Sequence, residues 1–252
     1  KSCVISTPTA SGKTLMAMLA IIKMLEKKKK VLYTSPLVAL AFEKYEEFSK
    51  FFDEHKVAIS VSDFDSSDPW LQNYDIIVAT NEKVESLIRH SAEWIRDVGL
   101  LILDEIHLLT DASRGPTLEI LITKMRKLVK NLQIVGLSAT IRNAEELAAW
   151  LDAELLKSDF RPVKLYQGVA CNSKIKFPGY KTVELSKDLD LEEAIVVDTL
   201  NKGKQILIFC STRKSTEALA ERLTKVVSSK LGKSDAALLK KLSEEVENVL
   251  EV

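Results

Sequence analysis

The chain has 252 residues, of which 36 are Lys or Arg and 36 Asp or Glu, so its formal net charge is zero, and 46% are hydrophobic. That balance excludes a protein held to nucleic acid by bulk charge, and no apolar run approaches the roughly 18 to 20 residues of a membrane-crossing helix. No cleavable leader pattern stands at the amino terminus. Cys3, Cys171 and Cys210 have neither disulfide-framework nor C-x-x-C spacing, so a cytoplasmic protein with buried or inert thiols is expected.

Short β-branched runs alternate with longer amphipathic stretches from the first residue. Strands are expected at Cys3 to Ser6, Val31 to Ser35, Val57 to Ser62, Ile76 to Thr80, Leu100 to Asp104 and Gln133 to Ser138. Helices are expected at Lys13 to Glu26, Leu40 to Phe52, Glu82 to His90, Thr117 to Val129 and Ala144 to Leu151. This is the rhythm of an α/β domain with a mostly parallel sheet flanked by helices. The run Lys27 to Lys30, between a helix pattern and a strand pattern, reads as a solvated turn.

After Trp150 the rhythm falters. Residues Arg161 to Tyr180, rich in Pro, Gly, Asn and Lys, read as a last strand and an irregular connection. The pattern then restarts with helix Leu191 to Asn201, strand Gln205 to Cys210 and helix Thr216 to Val227. The expected organisation is a first domain over 1–167, a connecting segment over 168–190 and the start of a second domain over 191–252, too short in strands to be whole. At the end, Leu239, Leu242, Val246 and Val249 form the apolar stripe of a helix that needs a partner.

Three short stretches carry chemistry. "VISTPTASGKTLMAML" approaches the phosphate-binding pattern G-x-x-x-x-G-K-[ST], with Thr7 where the first glycine belongs. A strand, this loop and then a helix aim backbone N–H groups and the positive end of a helix dipole at an anion. Thr9, Ala10, Ser11, Gly12, Lys13 and Thr14 would bind ATP, with Lys13 reaching the β- and γ-phosphates and Thr14 ligating Mg²⁺. The alternative is an accidental G-K-T at a helix start.

"LLILDEIHLLTD" drives an apolar strand into two acids, at the carboxyl end of a parallel strand where open α/β sheets bind ligands. Asp104 is the metal-side acid and Glu105 the base that orients or deprotonates the attacking water. "VGLSATIRN" delivers Ser138, Ala139 and Thr140 to the same edge, beside the Asp104 strand.

Together "TPTASGKT", "DEIH" and "SAT" resemble motifs I, II and III of the superfamily 2 helicases. The looser stretches "TSPLVALAFEKYEEF", "LLTDASRGPTLE" and "DFRPVKLYQGV" are most similar to the Ski-type group, and within it to archaeal DNA-repair helicases related to the helicase part of polymerase theta. The resemblance implies a RecA-like fold for the first domain and for the incomplete second. It implies ATP and Mg²⁺ as cofactors, single-stranded or branched DNA as partner, with RNA an alternative, and the remainder of the helicase as a further partner. His107 would communicate with Ser138 to Thr140 to couple ATP state to the nucleic-acid track. Pro36, Leu37 and Thr80 would lie along strand phosphates. "ILIFCSTRKST" resembles motif IV, placing Ser211, Thr212 and Arg213 toward nucleic acid.

The sequence also departs from that pattern. Val38 stands where the family commonly has arginine, which removes one phosphate contact, and Asn81 and Arg142 replace a hydroxyl residue and a glycine. No adenine-recognition motif precedes the loop and no arginine-rich motif VI follows. A poor ATPase is therefore expected of this stretch alone, since an arginine finger is worth about 10³ to 10⁵ in rate. A noncatalytic nucleotide-binding docking module is the reading from a different class. Trp70, Trp94 and Trp150 are expected to pack rather than stack on bases, and His55 and His90 to be surface or helix-end residues.

Overall fold

Six apolar strands and five amphipathic helices in near alternation have one economical arrangement: strands side by side in a sheet, helices on both faces. The computed structural model describes residues 1–61, 67–141 and 143–250. Ser62, the last residue expected in the third strand, and Arg142 lie outside them. The chain divides into two units, Lys1–Lys164 and Leu165–Val252.

In the first unit the strands are β1 (Cys3–Ser6), β2 (Lys30–Ser35), β3 (Val57–Ser60), β4 (Ile76–Thr80), β5 (Val98–Leu103), β6 (Gln133–Ser138) and β7 (Glu154–Lys157). They form a seven-stranded sheet in the order β3-β4-β2-β5-β6-β1-β7, and every pairing is parallel. The helices are α1 (Lys13–Leu25), α2 (Val38–Phe51), α3 (Asn81–Arg89), α4 (Gly115–Leu128) and α5 (Ala144–Leu151).

Alternation along each strand sorts side chains to two cores. Tyr33, Ile76, Val78, Leu100 and Ile102 face α1 and α2, where they meet Ala17, Ile21, Ala41 and Phe48. Leu32, Ile77, Ala79, Leu101 and Leu103 face the other way, toward Val84, Leu87, Leu118, Leu121, Ile122 and Leu147 on α3, α4 and α5. Neither face of the sheet is left to solvent, which is why its strands read as almost continuous apolar runs.

The Lys27 to Lys30 reading needs correcting at one residue. Lys27 to Lys29 form the turn, but Lys30 opens β2 and its ammonium donates to the carbonyls of Gln72 and Tyr74, both at 2.6 Å. Burial lowers its pKa. Of the tryptophans, Trp94 is buried, as expected of a packing residue, whereas Trp70 and Trp150 are 46% and 40% exposed. Trp70 packs edge-on against Tyr74. His90 caps the carboxyl end of α3, with Nδ1 2.9 Å from the Ser86 carbonyl. All three cysteines are free, and Cys171 is exposed rather than buried.

The second unit holds a small antiparallel sheet of β8 (Val169–Cys171), β9 (Lys174–Lys176) and β10 (Val183–Glu184), ordered β10-β9-β8. Asn172 and Ser173 join β8 to β9 with positive φ at both positions, the geometry that closes a two-residue hairpin. Helices α6 (Leu191–Asn201), α7 (Arg213–Ser228) and α8 (Lys233–Leu250) follow. The strand expected at Gln205 to Cys210 is not formed. That segment pairs with no other among the described residues, and Leu207 and Phe209 are 77% and 87% exposed. A strand exists only by pairing, so β-branched composition alone does not make one. On α8, Leu239 and Leu242 are also exposed.

Candidate nucleotide site

The strand order decides where the three motifs meet. β5, β6 and β1 are adjacent, so the loops after them, carrying "DEIH", "SAT" and "TPTASGKT", open side by side at the carboxyl edge of the sheet. In register, Ser6 lies opposite Ser138.

The "TPTASGKT" loop leaves β1 with Ser6 and Thr7 buried. The Thr7 N–H donates to the Ser138 carbonyl at 3.2 Å, the Ser11 hydroxyl donates to Thr7 Oγ1 at 2.7 Å, and Lys13 Nζ donates to the carbonyls of Thr7 and Pro8 at 3.1 and 3.2 Å. Ala10 and Gly12 both take positive φ, 63° and 91°. A Cβ at Gly12 would meet nothing within 4 Å, so glycine is needed there for its backbone conformation. Gly12 is the N-cap of α1, whose first turn holds no acid to repel an anion. Thr9 and Ala10 are exposed, and Thr14 is half-buried.

Asp104 follows β5 directly, its N–H donating to the Thr34 carbonyl at 2.9 Å. Its carboxylate receives the Tyr33 hydroxyl on Oδ2 at 2.8 Å and the Glu105 N–H on Oδ1 at 3.0 Å. Glu105 has a left-handed backbone, φ 49°, and starts the 3-10 turn Ile106–Thr110. Ile106 fits because β6 offers Gly136, where a Cβ would fall 2.8 Å from Ile106 Cδ1. His107 Nδ1 lies 3.2 Å from Glu105 Oε2. The two atoms are in polar contact, and Nδ1 has no hydrogen-bond partner among the described residues. Ser138 is buried and donates to the Ala139 carbonyl at 2.8 Å, as does Ser6 at 3.4 Å.

The sequence did not single out two residues that close this site. Tyr33 lies on β2 and Lys44 on α2. Lys44, its side chain only 12% exposed, donates to Thr14 Oγ1 at 3.2 Å and to Glu47 Oε2 at 2.8 Å. Burial opposes its charge, but Glu47, Glu43 and Asp104 more than offset that and raise its pKa.

The residues assigned to nucleic acid are placed less uniformly. Pro36 is buried and Leu37, the N-cap of α2, is 44% exposed. Thr80 is only 6% exposed and its hydroxyl accepts the Lys83 N–H at the start of α3, at 3.3 Å. In the second unit Thr212 caps α7 in a reciprocal pair with Ser215, and Ser211 and Arg213 beside it are exposed.

A sequence profile of the DEAD/DEAH box helicases matches residues 1–147. The chain belongs to the DEAD/DEAH box helicase family. Curated relatives include the ATP-dependent DNA helicase Hel308 of Methanocella arvoryzae, 43% identical over 98% of this chain, and that of Pyrococcus horikoshii, 44% identical over 98%. The chain spans 34% of the length of each. Among solved structures, the crystal structure of the DUF1998 helicase MrfA bound to DNA superposes with a TM-score of 0.52 at 23% identity, covering 62% of this chain and 24% of that one. The first unit is thus a RecA-like domain of a superfamily 2 helicase, as the motifs implied.

Family membership implies use of ATP, ordinarily with Mg²⁺. The residues present fit that pair. Thr14 and Asp104 offer hard oxygen donors, and Mg²⁺ held partly by nucleotide phosphates needs only one or two protein carboxylates. The α1 amino terminus, with Gly12 and Lys13, offers N–H groups and a positive charge to the phosphates. Among the described residues no helix is long and apolar enough to cross a membrane.

Proposed function

We propose that this chain is the ATP-binding first domain, followed by the start of a second RecA-like domain, of an ATP-dependent DNA helicase that moves 3′ to 5′ on single-stranded or branched DNA in repair or fork processing. The observation that carries the reading is the meeting of three motif loops on adjacent strands, with the Thr7 N–H bonded to the Ser138 carbonyl. DNA as the substrate is supported by the names of the curated relatives.

In this reading Thr9 to Thr14 cradle the phosphates and Lys13 leaves the Thr7 and Pro8 carbonyls to reach the β- and γ-phosphates. Thr14 and Asp104 hold Mg²⁺, which when bound neutralises charge on the transferring phosphoryl group. Glu105 orients the attacking water and takes its proton. The Thr7 to Ser138 bond gives a direct path from the phosphate loop to Ser138, Ala139 and Thr140, and the His107 to Glu105 contact a second one from the base. Pro36, Leu37, Thr80, Ser211, Thr212 and Arg213 are proposed along the strand, with Thr80 contributing backbone rather than hydroxyl.

The test is made on the intact protein. ATP hydrolysis is expected to be stimulated more by single-stranded DNA than by single-stranded RNA. Glu105→Gln should leave ATP binding intact and lower stimulated turnover about 10² to 10⁴-fold, the range for a removed general base. Unchanged turnover in Glu105→Gln removes that residue from the role, and stronger stimulation by RNA overturns the choice of substrate.

A further inference from the structure

Each of the two metal-side groups, Thr14 and Asp104, is held by a side chain from the β2–α2 segment. Tyr33 is fully buried on β2, its ring edge-on to Phe48 of α2 at a centroid distance of 5.1 Å. Packing therefore fixes the ring, and the ring fixes where its hydroxyl points. That hydroxyl donates to Asp104 Oδ2 at 2.8 Å while the Glu105 N–H holds Oδ1 at 3.0 Å. An ionised carboxylate has about four lone-pair sites, so two hydrogen bonds set its plane and leave positions for a further ligand. Lys44, eleven residues on along the same segment, supports Thr14 in a parallel way through its 3.2 Å bond to Oγ1.

We propose that Tyr33 is a positioning residue for metal binding: its hydroxyl holds the Asp104 carboxylate in the orientation that receives nucleotide-bound Mg²⁺. The proposal rests on the nucleotide-site reading above. Outer-shell groups of this kind orient a ligand before the metal arrives, and their loss typically costs tenfold or more in metal affinity. Pro36 and Leu37 lie between Tyr33 and Lys44 in sequence, so the segment that supports the metal-side groups is also the one proposed to meet the strand.

The experiment is calorimetry of ADP binding to the intact protein, with Mg²⁺ and with the metal chelated, for the wild type, Tyr33→Phe, Asp104→Asn, the double variant and Lys13→Ala. Tyr33→Phe keeps the ring and removes only the hydroxyl. It should leave Mg²⁺-free ADP affinity at the wild-type value and abolish the gain in affinity given by Mg²⁺, or reduce it about tenfold. In the Asp104→Asn background it should change nothing further. A wild-type Mg²⁺ gain in Tyr33→Phe overturns the proposal. So does an equal loss with and without metal, the mark of a merely structural residue. The underlying site reading fails separately, if Lys13→Ala binds ADP as well as the wild type does.

Discussion

Lys83 carries a full charge into the interior of the first unit, with its side chain 2% exposed and Nζ 3.1 Å from Asp68 Oδ2. The Ser60 hydroxyl donates to the same oxygen at 2.8 Å. The ion pair and the Ser60 hydroxyl offset part of the cost of taking these two charges out of water. Lys83→Met removes this ion pair and should therefore destabilise the chain by about 3 to 5 kcal/mol, the usual result of breaking a buried pair. Adding Asp68→Asn should recover a good part of that loss, with both variants compared by urea denaturation. A double variant no more stable than Lys83→Met would show that loss of the Lys83 to Asp68 pair is not the cause. Nothing in "NEKVES" marks this lysine, since a cation among acids reads as an exposed helix face and Asp68 is distant in sequence. Tyr33 and Lys44 were hidden for the same reason: their meaning lies in partners brought in from other elements. Gly12, Lys13, Thr14, Asp104 and Glu105 could be singled out from the sequence because they stand in contiguous stretches next to a strand. The missing first glycine is also explained, for Thr7 still belongs to the buried exit of β1 and the positive φ angles fall at Ala10 and Gly12.

At the scale of elements, α3 begins on Thr80, whose hydroxyl accepts the Lys83 N–H and satisfies one of the amides a helix start leaves open. Thr80→Val keeps the shape of the buried side chain and removes the acceptor. A stability loss of about 1 kcal/mol is expected, typical of a lost N-cap, read from the denaturation midpoint; an unchanged midpoint would mean that the cap contributes nothing. The strands of the first unit were readable because burial on both faces demands long apolar runs, and the helices because each covers one face with a periodic stripe. The edge strand β7 was missed: "ELLK" has polar ends, and its pairing to β1 supplies what its composition lacks. Gln205 to Cys210 is the converse, apolar and β-branched yet unpaired, since composition cannot report whether a neighbouring strand is present. Short β8 and β9 fell in a stretch read as one last strand and an irregular connection, because their hairpin depends on backbone conformation at Asn172 and Ser173 rather than on any apolar pattern.

At the scale of the whole molecule, stability is distributed unevenly between the two units. The first unit holds both apolar cores and the seven-stranded sheet. In the second, the buried hydrophobic side chains among the described residues are Leu185, Ala194 and Val196. Amides in a doubly covered parallel sheet open only with the whole unit, whereas amides without a backbone partner exchange almost freely. Hydrogen exchange should therefore be slowest in β1, β5 and β6, the strands that deliver the three motifs, and close to the unprotected rate over residues 205–210. The consequence is functional as well as thermodynamic. A site built at the ends of the most protected strands should keep its geometry independently of the less buried second unit, so saturating Mg²⁺ and ADP should slow exchange in the loops after β1, β5 and β6 and leave residues 205–210 unchanged. Protection of 205–210 as strong as that of β6 would contradict this picture, because it would require the segment to pair with a strand outside the described residues. Repeating the measurement at lower protein concentration tells whether that strand belongs to another molecule: protection from an intermolecular strand falls on dilution, and protection within one chain does not.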